Sequence, residues 1–105
     1  MRKMIYNKLV RDRIPEIIKA SGKNCSSEVL SDSDYRQMLD AKLLEEVAEY
    51  NESHSVEELA DLLEVIYAAA ASLDCTVEEL EQIRAEKAVK CGSFEQRILL
   101  KEVIE

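Results

Sequence analysis

The sequence is short of the residues that make turns, stacks and crosslinks. In 105 residues it has two glycines, one proline, one phenylalanine and no tryptophan. So few turn formers argue against an all-β sandwich or barrel, which must reverse direction many times. Its three cysteines, Cys25, Cys75 and Cys91, are odd in number, widely spaced and without a CxxC pair, and the single His54 completes no Cys/His ligand set. A disulfide framework or structural zinc is therefore not expected, and a reducing cytoplasm fits best. No apolar run approaches the roughly 20 residues of a membrane span, and the basic start is not followed by the apolar segment of a secretory signal. There is no Walker-type loop, no GxGxxG and no serine elbow, so the common phosphate cradle and Ser/His catalysis both fall away.

What remains abundant is Leu, Ala, Glu and Lys, all helix formers. With hydrophobic residues at 47% a core can form, and 12.0 kDa suits one domain over residues 1–105. The expected class is all-α, an antiparallel bundle of about four helices that oligomerises. Net charge is −8, and its placement is uneven. Residues 40–64 hold nine acids and one base, Lys42, while residues 1–23 hold seven bases and two acids. An acidic belt with a basic arm is not the footprint of a nucleic-acid binder. It suits a divalent cation beside an anionic ligand.

Local signals order the helices. Pro15 opens a short helix ending at Gly22. A second helix starts near Ser31 to Ser33 and runs to about Glu52, with Leu39, Leu43, Val47 and Tyr50 as its apolar stripe. Ser55-Val56-Glu57-Glu58 reads as a capping box opening a third helix to about Ser72, and Thr76-Val77-Glu78-Glu79 as another opening a fourth, which ends near Gly92. Residues 5–10 and Ser26–Leu30 have the composition of extended segments and would suit a small two-stranded element. The tail from Phe94 to Ile104 is apolar enough to dock. The third helix is apolar almost all round beyond its first two turns, which predicts association with a second copy.

Two acid pairs stand out. Glu46 and Glu49 are three apart on the second helix, and Glu58 and Asp61 three apart on the third, so each pair shares a helix face. Glu46 borders the apolar stripe and should point toward its neighbour. A tight antiparallel turn lets the pairs converge. At an effective dielectric of about 20, each carboxylate pair 4–5 Å apart costs roughly 3–4 kcal/mol, relieved by protonation or a cation. Oxygen donors suit Mg²⁺, with Mn²⁺ as the alternative. The plain alternative is that these acids solvate their helices, Glu58 serving its cap. Glu45 and Glu64 are further candidates, Glu45 lying opposite the stripe. On the fourth helix Lys87 falls inside the apolar stripe, where it either snorkels outward or directs a cation between helices, with Arg84 and Lys90 extending the strip. His54 is given no role.

Tyr6-Asn7-Lys8-Leu9-Val10-Arg11-Asp12-Arg13-Ile14-Pro15-Glu16-Ile17-Ile18 closely resembles the opening of a group of small MazG-like proteins. Leu44-Glu45-Glu46-Val47-Ala48-Glu49 and Glu57-Glu58-Leu59-Ala60-Asp61 resemble the EExxE and ExxD helices of the all-α nucleoside triphosphate pyrophosphohydrolases, the superfamily that includes phosphoribosyl-ATP pyrophosphohydrolase. Lys87 to Phe94 and Arg97-Ile98 are similar to that group's basic tail. The resemblance implies a cytoplasmic oligomer, dimer or tetramer, that hydrolyses a nucleoside triphosphate to monophosphate and pyrophosphate with Mg²⁺. It implies Glu46, Glu49, Glu58 and Asp61 as metal ligands, with Glu45 as a further ligand or water-orienting base and Lys87 on the phosphates. Lys8 and Arg11 either contact the triphosphate or are surface charges, with Arg11 paired with an acid in the latter case. Only eight residues separate Glu49 from Glu58, fewer than is usual in the broader family. The competing expectation is a non-catalytic helical oligomer that binds metal or nucleotide as a sensor or partner.

Overall fold

A computed structural model describes residues 2–105. Four helices follow in order: α1 (Ile14–Ala20), α2 (Asp32–Ser53), α3 (Val56–Ser72) and α4 (Val77–Cys91). Their ends are set by local chemistry. Pro15 occupies the first turn of α1, where its missing N–H costs nothing. Ser31 caps α2 by accepting from the Asp34 N–H at 3.2 Å, and Ser55 caps α3 by accepting from the Glu58 N–H at 3.3 Å. At α4 the box is complete: Thr76 Oγ1 accepts from Glu79 N–H at 3.1 Å, and Glu79 Oε1 accepts from Thr76 N–H at 3.2 Å. At α3 it is half made, because Ser55 N–H donates to Ser53 Oγ instead. The Glu58 carboxylate is thus not the cap partner that its position suggested.

α2 and α3 form a hairpin around His54 and Ser55, with His54 left-handed at φ 52°. The start of α2 meets the end of α3, where Arg36 donates to the Ser72 carbonyl at 3.5 Å. Leu39 and Ala70 are the buried apolar side chains of this seam. The inward line of α2 departs from the expected stripe. Glu46, only 5% exposed, holds the place assigned to Val47, which is 42% exposed. The reason is geometric: the spacing 39, 43, 46, 50 keeps closer to one face of a 3.6-residue helix than a further step of four does. α4 packs lightly on α3, and α1 packs on no other helix.

Among residues 2–105 there is no strand, and residues 5–10 and 26–30 run as unpaired irregular chain. The tail also differs from expectation. Residues 91–105 are exposed throughout, Phe94 at 97%, so the expected docking is not seen within one chain. The molecule measures 65 × 31 × 24 Å, with a radius of gyration of 18.4 Å. A compact chain of this length has about 13 Å. Among the described residues no helix is long and apolar enough to cross a membrane.

With so little apolar surface buried, the seam should be sensitive at its centre. Leu39→Ala is expected to cost about 2–4 kcal/mol in urea unfolding, the range for a fully buried leucine. Replacing Val29, which is wholly exposed, should change stability by less than about 0.5 kcal/mol.

Candidate metal centre

The seam that buries Leu39 also buries a carboxylate. Glu46 on α2 faces Glu58 and Asp61 on the first turns of α3, and one oxygen from each lies within 4.8 Å of the others. Glu49, one turn along α2, lies near enough for its charge to help raise the Glu58 carboxyl. All four acids of the two pairs are therefore at one place, three in a tight group and Glu49 at its edge.

The group is short of partners. Glu46 Oε2 and Glu58 Oε2 are buried and receive no hydrogen bond. Burial, and then the charge of Glu49, raise the Glu46 carboxyl above its ordinary 4.5, outweighing the opposing pull of Lys42. Glu58 is raised likewise by desolvation, then by Glu49, Asp61 and Glu46. Buried carboxylate oxygens without donors are costly. They are the hard oxygen donors that Mg²⁺ or Mn²⁺ takes, so the residues present fit such an ion.

Three cations surround the group. Arg11, from the N-terminal arm, donates to Asp61 Oδ1 at 2.8 Å. Lys8, from the same arm, donates to Glu45 Oε1 at 3.1 Å. Lys42 lies 3.2 Å from Glu45 Oε2 and 3.4 Å from Glu46 Oε1. Both oxygens of Glu45 are thus taken by ammonium groups; although desolvation opposes it, these lysines hold its carboxyl below the ordinary range. Glu45 stands beside the acid trio, not in it. Glu64 is exposed, as is Lys87, which makes no ion pair among the described residues. At α4 the less exposed positions are Leu80, Ala85 and Ala88, so Lys87 faces outward, not between the helices. The arm's ion pairs to the body are those of Lys8 and Arg11, and α1 touches no other helix.

Lys42 was not singled out as a site residue from the sequence. The signal was there: it is the one base in an acidic belt, three and four residues before Glu45 and Glu46. His54 stacks edge-on with Tyr50, ring centres 5.2 Å apart, and does not enter the group. The cysteines are free.

Comparison with known proteins adds little to this geometry. No family model matches the chain, and no solved structure matches it. A protein of Mycolicibacterium smegmatis, described as uncharacterized, is 63% identical over 41 residues, which are 39% of this chain and 42% of the relative. The chain thus spans less than half the length of that relative.

The raised carboxyls fix the sign of a pH effect. A carboxyl that binds its proton more tightly when folded lends stability below its unfolded value near 4.5 and loses it as pH rises through the folded value. In chelator, Glu46→Gln should therefore gain thermal midpoint over wild type as pH rises from 5 to 7.5. A difference between the two that stays constant over this interval would contradict the raised carboxyl.

Proposed function

We propose that the chain is a divalent-metal-dependent nucleotide pyrophosphohydrolase of the MazG-like class, a hydrolase of phosphoric anhydrides that converts a nucleoside triphosphate to monophosphate and pyrophosphate. The observation that carries the reading is the unpartnered Glu46 Oε2, buried in the helix seam and facing Glu58 and Asp61. An ordinary solvating acid has no reason to be there. The half-made cap at Ser55 supports it, since Glu58 gives up its backbone partner and turns to the other acids. The opening motif of the arm brings Arg11 to Asp61 of the trio and Lys8 to Glu45 beside it, which supports the family reading over a coincidence of ExxE spacing.

In this proposal Glu46, Glu49, Glu58 and Asp61 hold the ion. Mg²⁺ or Mn²⁺ supplies charge neutralisation and Lewis acidity toward phosphate oxygens. Lys8 and Arg11 bind the triphosphate by leaving Glu45 and Asp61 for phosphate oxygens, an exchange of one anion for another. Glu45, released on its Oε1 side, accepts a hydrogen bond from the attacking water and orients it toward the phosphorus. The bond broken is the anhydride between the α- and β-phosphates; water supplies the new oxygen, and pyrophosphate leaves. Lys87, exposed on α4, contributes from that distance only if another copy or a rearranged tail brings it to the site.

The working form is a homo-oligomer in the same proposal. A folded chain of 12.0 kDa exposes about 6,000 Å², whereas this one exposes 9927 Å². The excess is of the order buried in obligate interfaces. Half-exposed Leu59 and Leu63 on α3 lie on the surface that a second copy would cover.

The test is pyrophosphate release from a panel of nucleoside triphosphates with Mg²⁺ or Mn²⁺. Glu49→Gln and Asp61→Asn should each abolish metal-dependent release and the rise in thermal midpoint on adding Mn²⁺. Glu52→Gln, exposed on the same helix, should be silent in both. Wild-type release in both variants would falsify the four-carboxylate site. Metal binding without release from any triphosphate would favour the sensor alternative. Light scattering at micromolar concentration should give a mass at least twice 12.0 kDa, and a monomeric mass would remove the oligomer.

A further inference from the structure

We infer that Lys42 is a positioning residue that acts as a built-in cation: it turns Glu46 Oε2 toward the metal position and confines the site to one divalent ion. The inference rests on the metal reading above and deepens it. Glu46 divides its two oxygens. Oε1 lies 3.4 Å from Lys42 Nζ, while Oε2, buried and without a hydrogen-bond partner, belongs to the carboxylate that converges on Glu58 and Asp61. Glu46 is 5% exposed, so the carboxylate has little freedom to turn. The same ammonium lies 3.2 Å from Glu45 Oε2, on the side of Glu45 away from Lys8, which holds Oε1.

Lys42 differs from the other two cations in how it is tethered. Lys8 and Arg11 come from an arm that α1 does not pin to any other helix. Lys42 is on α2 itself, one turn before its partners, and its side chain is 16% exposed. It cannot leave with the arm. Without it, adjacent Glu45 and Glu46 would offer two uncompensated oxygens beside the ion already held by the trio. That is an oxygen-lined place for a second cation, and the tethered ammonium fills it with a charge already held on α2. The residue that holds a ligand's direction therefore also limits how many ions the acids accept.

Mn²⁺ titration followed by electron paramagnetic resonance, on the full chain without nucleotide, tests this. Wild type and Lys42→Arg should each bind one Mn²⁺ per chain, and Lys42→Met should bind two. In chelator, Lys42→Met should lose thermal midpoint, because Glu46 is left buried without its counter-charge. Lys42→Gln, which keeps a neutral donor, provides a second variant should the methionine form fail to fold, and it too should take up a second ion. A purely structural lysine would lower the midpoint but leave the stoichiometry at one, and that result overturns the inference. No Mn²⁺ binding by wild type would overturn the metal reading itself, a separate outcome visible before any variant is made.

Discussion

The structure turns on the burial of one carboxylate. Glu46 occupies a core position of α2 where a leucine or valine would pack, and its surroundings both answer and compound the charge. Lys42 approaches from the same helix and Arg11 of the arm pairs with Asp61, while Glu49 and Asp61 add like charge. A buried charge costs several kcal/mol unless paired, and a protein has little stability to spare. The seam is therefore a compromise between packing and chemistry, made about two turns from the loop that joins α2 and α3.

Helices and their ends were legible in the sequence because they depend on neighbours in the chain. Ser31, Ser55, Thr76, Pro15 and Gly22 act within one turn of themselves, and each helix begins and ends within a residue or two of where those signals place it. The convergence of the two acid pairs was legible too, since a two-residue connection leaves helices of this spacing few ways to meet. The inward turn of Glu46 was legible as well, but the exclusion of Val47 from the seam was not. A helical stripe is wide enough to admit either, and the local pattern favours the apolar residue while the tertiary seam takes the acid. The Ser55 box was misread for a related reason: Ser-x-x-Glu specifies two reciprocal bonds, but a carboxylate with a competing destination leaves one of them. Lys42 went unassigned because a lone lysine in an acidic belt reads as ordinary charge balance until the distances to Glu45 and Glu46 are known.

The exposed tail marks where a single chain stops being informative. Phe94, Ile98, Leu99, Leu100, Val103 and Ile104 are all largely exposed, and the segment docks on none of the four helices. Composition announces that such a segment must dock, yet not on what. The physical cause is the elongated shape: with α1 free of the other helices and α4 lightly attached, a chain of this length has no second layer on which to fold its ends.

The connection between α2 and α3 has a consequence for how the protein can vary. Glu46 lies eight residues before His54 and Asp61 seven after it, so both stand about 10–12 Å along their helices from the turn. Surface loops normally absorb insertions at little cost. Here one residue added inside α2 after Glu46, or inside α3 before Glu58, would turn the acids of that helix by about 100° about its axis and carry them away from their partners. The hairpin is thus a ruler as well as a joint. Substitutions can accumulate on its outer faces, while its length is held fixed by chemistry seven residues away.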